Sequence, residues 1–209
     1  MIIWISGSPG VGKTTVGRML AARLGYDFVD VPRLIREEEL VESFDEVRQA
    51  WTVDPKALSK HLVRRVVDKC VLASHIVLPL KKRPVKCIIL RLNPLVLKKR
   101  LERRGYDFDK IAENVEAEFV GVVYQEAVAA LGSRRVYQLD TTGRGVKATA
   151  GRCLRVLQGI HGGDEVDWLS SLPEHQLEKV LGFLARKRRV DFLTTRSPDL
   201  NSSVCFSGL

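Results

Sequence analysis

The stretch Gly7-Ser8-Pro9-Gly10-Val11-Gly12-Lys13-Thr14-Thr15 constrains this chain more than any other. It has the pattern G-x-x-x-x-G-K-[ST], in which glycines let backbone N–H groups turn inward around phosphate oxygens. Its flanks suit that geometry. Met1 to Ile5 is a short apolar run with β-branched and aromatic residues, as a buried strand requires. Val16, Met19, Leu20 and Leu24 then recur at helical spacing before a stop at Gly25. Strand, loop and helix N-terminus follow one another directly, and the helix dipole adds to the pull on an anion. Gly10, Gly12, Lys13, Thr14 and Thr15 are the residues expected to hold a nucleoside triphosphate. Lys13 is expected on the β- and γ-phosphates, and the Thr14 hydroxyl on a magnesium ion.

A chain of 209 residues accommodates one full-sized core with a small appendage. Hydrophobic residues at 45% and charged residues at 28% fit a soluble globular chain rather than a disordered one. No apolar run approaches the ~18 residues needed to span a bilayer, so no membrane partner is expected. The apolar stretch at the N-terminus is the strand that feeds the loop, which argues against a secretory signal. Cys70, Cys87, Cys153 and Cys205 are widely spaced and form no C-x-x-C pair. They read as buried thiols in a reducing, cytoplasmic setting. The net charge of +9 admits two sources: arginines for a site that handles two nucleotides, or a surface for RNA.

Downstream, apolar runs alternate with helical patterns. Tyr26–Val31, Cys70–Leu80, Val85–Leu92 and Val136–Leu139 read as the second to fifth strands. Helices are expected over Pro32–Val41, from Pro55 to about Asp68, from Pro94 to Gly105, from Asp109 to Leu131, and over Val146–Leu157. Asp54 and Asn93 supply caps just before their prolines. Between Val41 and Trp51 an irregular loop is expected. The alternation predicts an α/β fold, a five-stranded parallel sheet flanked by helices, with ligands at the carboxyl ends of the strands. Beyond His161, Gly162-Gly163 reads as a hinge and Asp164 as the cap of a short helix through Trp168. Pro173-Glu174 begins an amphipathic helix ending in Arg186-Lys187-Arg188-Arg189, and Ser197 onward reads as a frayed tail. The expected division is a core over residues 1–160 and a helical extension over 161–209.

Four segments together carry a family resemblance. They are Ile5 to Thr15, Leu34-Ile35-Arg36-Glu37-Glu38, Leu101-Glu102-Arg103-Arg104-Gly105-Tyr106, and Ile111-Ala112-Glu113-Asn114-Val115-Glu116-Ala117-Glu118. The chain, over about residues 1 to 158, resembles the small archaeal and eukaryotic adenylate kinases related to coilin-interacting nuclear ATPase, a branch of the nucleoside-monophosphate kinases. The resemblance implies a P-loop kinase fold and phosphoryl transfer from ATP to AMP or another nucleoside monophosphate (NMP), with slower ATP hydrolysis. ATP and Mg2+ are the implied cofactors. An NMP-binding segment is implied over about residues 30–53, with Arg36 as its arginine. A lid is implied over about residues 103–113, with Arg104 on ATP; on its own the cationic run would be a solvated helix face.

The family's Asp-x-His after the third strand stands here as Ala73-Ser74-His75. His75 is retained for catalysis by the resemblance, although a histidine in an apolar strand is equally a packed core residue. The acid that would hold magnesium's water shell is replaced by Ala73, and Asp140 is the substitute considered. The family also acts in late maturation of the small ribosomal subunit. A small-subunit ribosomal protein and rRNA are therefore implied partners, with nucleotide turnover as a release switch. A third reading, a P-loop kinase of a small metabolite such as shikimate, leaves Glu113-Asn114-Val115-Glu116 unexplained. The extension is expected to serve such partners and to be dispensable for chemistry; the rival is that Trp168, Leu177 and Leu181 brace the core.

Overall fold

Alternation along β1 (Ile2–Ser6) sets the layering. Ile2 and Trp4 belong to one apolar cluster and Ile3 and Ile5 to another, so both faces of this strand are covered. The computed structural model describes residues 1–45, 50–66, 68–78, 80, 85–194 and 204–206. After the glycine loop come α1 (Lys13–Leu24), β2 (Asp27–Asp30), α2 (Val31–Glu37), β3 (Ser43–Asp45), β4 (Ala50–Val53) and α3 (Pro55–Arg65). Then follow β5 (Cys70–Ala73), β6 (Val85–Arg91), α4 (Pro94–Glu102), α5 (Phe108–Val120), α6 (Val122–Leu131), β7 (Val136–Asp140) and α7 (Val146–Leu157). The chain continues through α8 (Trp168–Ser171), α9 (Glu174–Thr194) and β8 (Val204–Phe206).

The expected sheet is present: five parallel strands in the order β2-β5-β1-β6-β7. Apolar side chains of α2, α3 and α6 cover one face. Those of α1, α4, α5 and α7 cover the other. Desolvation inside these layers pushes the thiols of Cys70 and Cys153 up to about 11 and about 12, and raises Cys87 further, so all three stay protonated. Asp54 and Asn93 cap α3 and α4 as their sequence positions predict, each accepting from two backbone N–H groups. Among the described residues no helix is long and apolar enough to cross a membrane.

Several boundaries differ from expectation for local reasons. The strand expected to reach Leu80 stops at Ala73, because Ser74 turns the chain and its Oγ accepts from the Ile76 N–H at 3.1 Å. The helix expected to reach Val41 stops at Glu37, where the Leu40 N–H returns to the Ile35 carbonyl at 3.0 Å. The helix expected over Asp109–Leu131 is two helices, broken at Gly121 with φ 74°. A Cβ there would lie 3.4 Å from the Arg91 guanidinium, in ordinary contact, so the positive φ is what calls for glycine. In place of an irregular loop, β3 and β4 form antiparallel partners, with Ser43 Oγ 2.6 Å from Thr52 Oγ1. Val204–Phe206, expected within a frayed tail, instead pairs antiparallel with β4, whose outer edge offers unpaired backbone groups to a run of good strand formers. The Lys81–Pro84 turn, the rest of the expected tail and the side chains of Lys187, Arg188 and Arg189 lie outside the described residues.

The extension is not hinged away at Gly162-Gly163. Gly163 lies flush against β7, and a Cβ there would sit 3.1 Å from the Gln138 carbonyl, which accepts from the Asp164 N–H at 2.8 Å. Asp164 is not the helix cap. Its carboxylate accepts from Arg152 at 2.5 Å and from the Asp140 N–H at 2.8 Å, while Asp167 caps α8 through the Leu169 N–H at 3.0 Å. Trp168, Leu172 and Val180 form a buried cluster with Leu95, Phe119 and Leu177. Leu181 is 46% exposed. The packing therefore favours the brace at Trp168 and Leu177, and not at Leu181.

Candidate active site

The glycine loop sits at the carboxyl end of β1, and its backbone approaches β6 too closely for any side chain. Gly7, Gly10 and Gly12 have φ of 136°, 91° and 108°, and a Cβ on Gly7 would fall 2.3 Å from the Leu90 carbonyl oxygen. Lys13 folds back over this loop, its Nζ donating to the carbonyls of Gly7 at 2.8 Å and Ser8 at 3.0 Å. Burial pulls the Lys13 ammonium down to about 7, against the opposing pull of Glu118 and Asp30; Arg104 adds to the lowering. Thr14 Oγ1 donates to Asp30 Oδ2 at 3.2 Å. From α4, Arg100 donates to the carbonyls of Gly10 at 3.4 Å and Val11 at 3.3 Å, bracing the loop from outside.

One open cleft of about 270 Å³ brings together Gly10, Gly12, Lys13, Thr14, Thr15, Arg36, His75 and Arg104. They arrive from different elements. Arg36 projects from α2, and Arg104 stands in the turn between α4 and α5. His75 lies beyond the end of β5 rather than inside a strand, and so reaches the cleft. Pro9, Asp30, Pro32 and Tyr106 complete the wall.

Asp140 is not in this cleft. Its Oδ1 accepts from the Thr142 N–H at 2.8 Å, and it lines a separate cavity of about 450 Å³ with Arg152 and Asp164. The carboxylate beside Thr14 is Asp30. Its signal in the sequence was its place at the carboxyl end of a strand, just before Pro32. A hydroxyl and a carboxylate are hard oxygen donors of the kind Mg2+ takes. Among the described residues no three His, Cys, Asp or Glu gather as a metal site, so such a cation would be completed by phosphate oxygens and water.

Sequence reasoning also missed Glu118. Only 2% exposed, it accepts from Ser8 Oγ at 2.7 Å, Arg91 Nε at 2.8 Å, the Leu92 N–H at 3.1 Å and Trp168 Nε1 at 3.1 Å. Arg91 also donates to the Glu118 carbonyl at 2.7 Å and to Gln138 Oε1. The available signal was spacing: Glu118 follows Ile111 and Val115 on the buried stripe of α5, where a carboxylate needs partners.

The comparisons agree with this architecture. The model of the AAA domain family matches residues 3–121, more than half of the chain. A Methanosarcina acetivorans protein named "Putative adenylate kinase" is 30% identical over 191 residues, spanning 83% of this chain and 100% of that protein. A Thermococcus kodakarensis protein of the same name is 38% identical over 152 residues, spanning 69% and 78%. Among solved structures, shikimate kinase from Acinetobacter baumannii in complex with shikimate aligns with a TM-score of 0.56 at 22% identity, covering 76% of this chain and 93% of that one. Shikimate kinase from Bacteroides thetaiotaomicron aligns at 0.52 and 19%, covering 76% and 98%. At such identities the structural likeness speaks for the fold, whereas the archaeal relatives match in sequence over 83% and 69% of this chain. The chain belongs to the P-loop nucleoside-monophosphate kinase family that these archaeal proteins share.

Proposed function

We propose that the cleft transfers the γ-phosphoryl group of ATP to a nucleoside monophosphate, with AMP as the acceptor suggested by the relatives' name. The observation that carries this reading is the meeting of Lys13, Arg36, His75 and Arg104 around one cleft from four separate parts of the chain. The loop N–H groups and the α1 N-terminus receive the triphosphate. Lys13 exchanges its two carbonyl partners for the β- and γ-phosphates, regaining the charge that burial suppresses. Arg36, in the 30–53 segment, holds the acceptor's phosphate. Arg104, in the 103–113 lid, neutralises charge on the transferring group, its fork of donors suited to equatorial oxygens. His75 stands where acceptor and donor meet. Thr14 and Asp30 are the residues that would hold Mg2+, which would supply positive charge to offset that of the phosphates. With no acceptor in place, water enters the same cleft and slow ATP hydrolysis results.

The test is a coupled assay of ADP formation across the NMPs and a panel of small hydroxyl acceptors. Mg2+-dependent transfer to an NMP is expected; transfer to a hydroxyl acceptor with none to any NMP would replace this reading with a metabolite kinase. A role in small-subunit maturation draws support from the net charge of +9 and from the family resemblance. Binding to purified small-subunit protein or rRNA that weakens as salt rises would sustain that role, and its absence at low salt would remove it.

A further inference from the structure

We infer that Glu118 is a positioning residue for the phosphate loop, and that it ties the loop's geometry to the docking of Trp168 from the extension. The inference rests on the phosphate-loop reading above. One Glu118 oxygen holds Ser8, the second residue of the loop, at 2.7 Å. The other receives Arg91 Nε, the Leu92 N–H and Trp168 Nε1 within 3.1 Å. Ser8 is 1% exposed and Arg91 3%, so neither contact is a surface accident. The carboxylate is rigid, so a shift at one oxygen moves the other. Three of its four side-chain and backbone donors belong to elements that do not line the cleft: the end of β6, and α8 in the extension.

The loop needs such an anchor. Its glycines accept many backbone conformations, and the convergent N–H groups repel one another until an anion arrives. Ser8 fixed to a buried carboxylate selects the conformation that cradles phosphate in advance, which improves affinity by cutting the ordering cost of binding. The second consequence concerns the extension. The indole N–H of Trp168 is one of the donors that hold Glu118 in place, so anything that lifts α8 away loosens the loop. Glu118 touches no substrate; it acts through Ser8.

The test is a double-mutant cycle on the full chain with Ser8→Ala and Trp168→Phe, both of which leave the buried Arg91–Glu118 pair intact. Because a loosened loop weakens ground state and transition state alike, KM for ATP should rise while kcat holds. Losing one hydrogen bond at each end should raise KM about fivefold for Ser8→Ala and about threefold for Trp168→Phe. The double variant should match Ser8→Ala alone, since the second change then has no loop contact to act through. Calorimetric Kd for a non-hydrolysable ATP analogue should follow the same pattern. Multiplying effects, or KM and Kd at parent values with only the melting temperature lowered, would overturn the inference. Lys13→Ala in the same assay separates the two levels. If it loses transfer while the cycle is flat, only the role of Glu118 falls; if it keeps transfer, the phosphate-loop reading falls and Glu118 with it.

Discussion

Cutting the chain after Gly159 asks whether the extension is an appendage or part of the core, and the packing gives the answer a size. Trp168, Leu172 and Val180 would leave the interior, where they are 6%, 9% and 0% exposed. At about 3–5 kcal/mol for a tryptophan and about 1.5–3 kcal/mol for each aliphatic side chain, the loss comes to roughly 6–11 kcal/mol. The cut also takes the indole donor from Glu118 and the Val166 carbonyl from Arg91. A buried group left short of a partner adds about 1–3 kcal/mol. Domains of this kind are stable by about 5–15 kcal/mol in total, so the fragment 1–159 is expected to lose its cooperative fold. A graded version avoids relying on a protein that fails to fold. Trp168→Ala should cost about 3–5 kcal/mol, and at about 2–4 °C per kcal/mol for a chain this size its melting temperature should fall by roughly 6–20 °C. Leu181→Ala, on the exposed face of α9, should stay within about 0.5 kcal/mol. Scanning calorimetry on the four proteins decides it. A fragment 1–159 that melts cooperatively within a few degrees of the full chain and keeps phosphotransfer would refute the brace and restore the extension as a dispensable recruiter.

Lys13→Ala should abolish phosphotransfer without lowering the melting temperature; activity within a few-fold of the parent in the coupled assay would remove Lys13 from the site. Arg104→Ala should lower kcat by about 10²–10³ while KM for ATP changes less, because lid cations act most on the developing charge. A change confined to KM would make Arg104 a ground-state contact. Asp30→Asn should raise the Mg2+ concentration for half-maximal rate about tenfold or more. An unchanged magnesium dependence would leave Asp30 as no more than the acceptor of the Thr14 hydroxyl. Burial pulls the Lys13 ammonium down to about 7, and a phosphate placed beside it would raise it again. ATP affinity should therefore be greatest below pH 7 and fall by up to about tenfold per unit above it, with proton uptake on binding at pH 7.5 measurable by calorimetry in buffers of different ionisation enthalpy. Binding with no proton uptake would mean that Lys13 is already charged before ATP arrives. The same depression means the unfolded chain binds the extra proton between about 7 and about 10.4, so stability of the empty protein should rise with pH across that window.

The parts of the fold that were legible in the sequence are those whose signal is local. The glycine loop, the capped starts of α3 and α4, and the five apolar strands each carry their own pattern, and a parallel α/β sheet follows from their alternation. Misread boundaries came where a tertiary or backbone event overrides an apolar run. Ile76, Val77 and Leu78 continue the apolar character of β5, yet the turn at Ser74 takes the chain off the sheet, and that departure is what delivers His75 to the cleft. Gly121 sits in an otherwise helical pattern, and the Arg91 guanidinium packed beside it comes from thirty positions earlier, which no local window reports. Asp30 was hidden for the opposite reason. It looked like an ordinary strand-ending acid, and only the approach of Thr14 to 3.2 Å distinguishes it.

Glu118 shows why a motif can be recognised without its physics being understood. In the sequence it is the last acid of Glu113-Asn114-Val115-Glu116-Ala117-Glu118, and a reader sees three similar carboxylates. In the structure Glu113 pairs with Lys110 at the surface, 51% exposed, while Glu118 is 2% exposed. An ionised carboxylate buried that deeply is tolerated only when its charge is matched and its lone pairs are filled, and Arg91, Ser8, Leu92 and Trp168 do both. Those partners lie 27, 110, 26 and 50 positions away in the chain. The network therefore closes only when β1, β6, α5 and α8 have all docked. Removing any one partner leaves a buried charge or donor short, which makes the junction cooperative in a way that four independent contacts would not be. The residues that line the cleft end at Tyr106, but the carboxylate that holds Ser8 of its loop also receives a tryptophan beyond the last helix of the sheet.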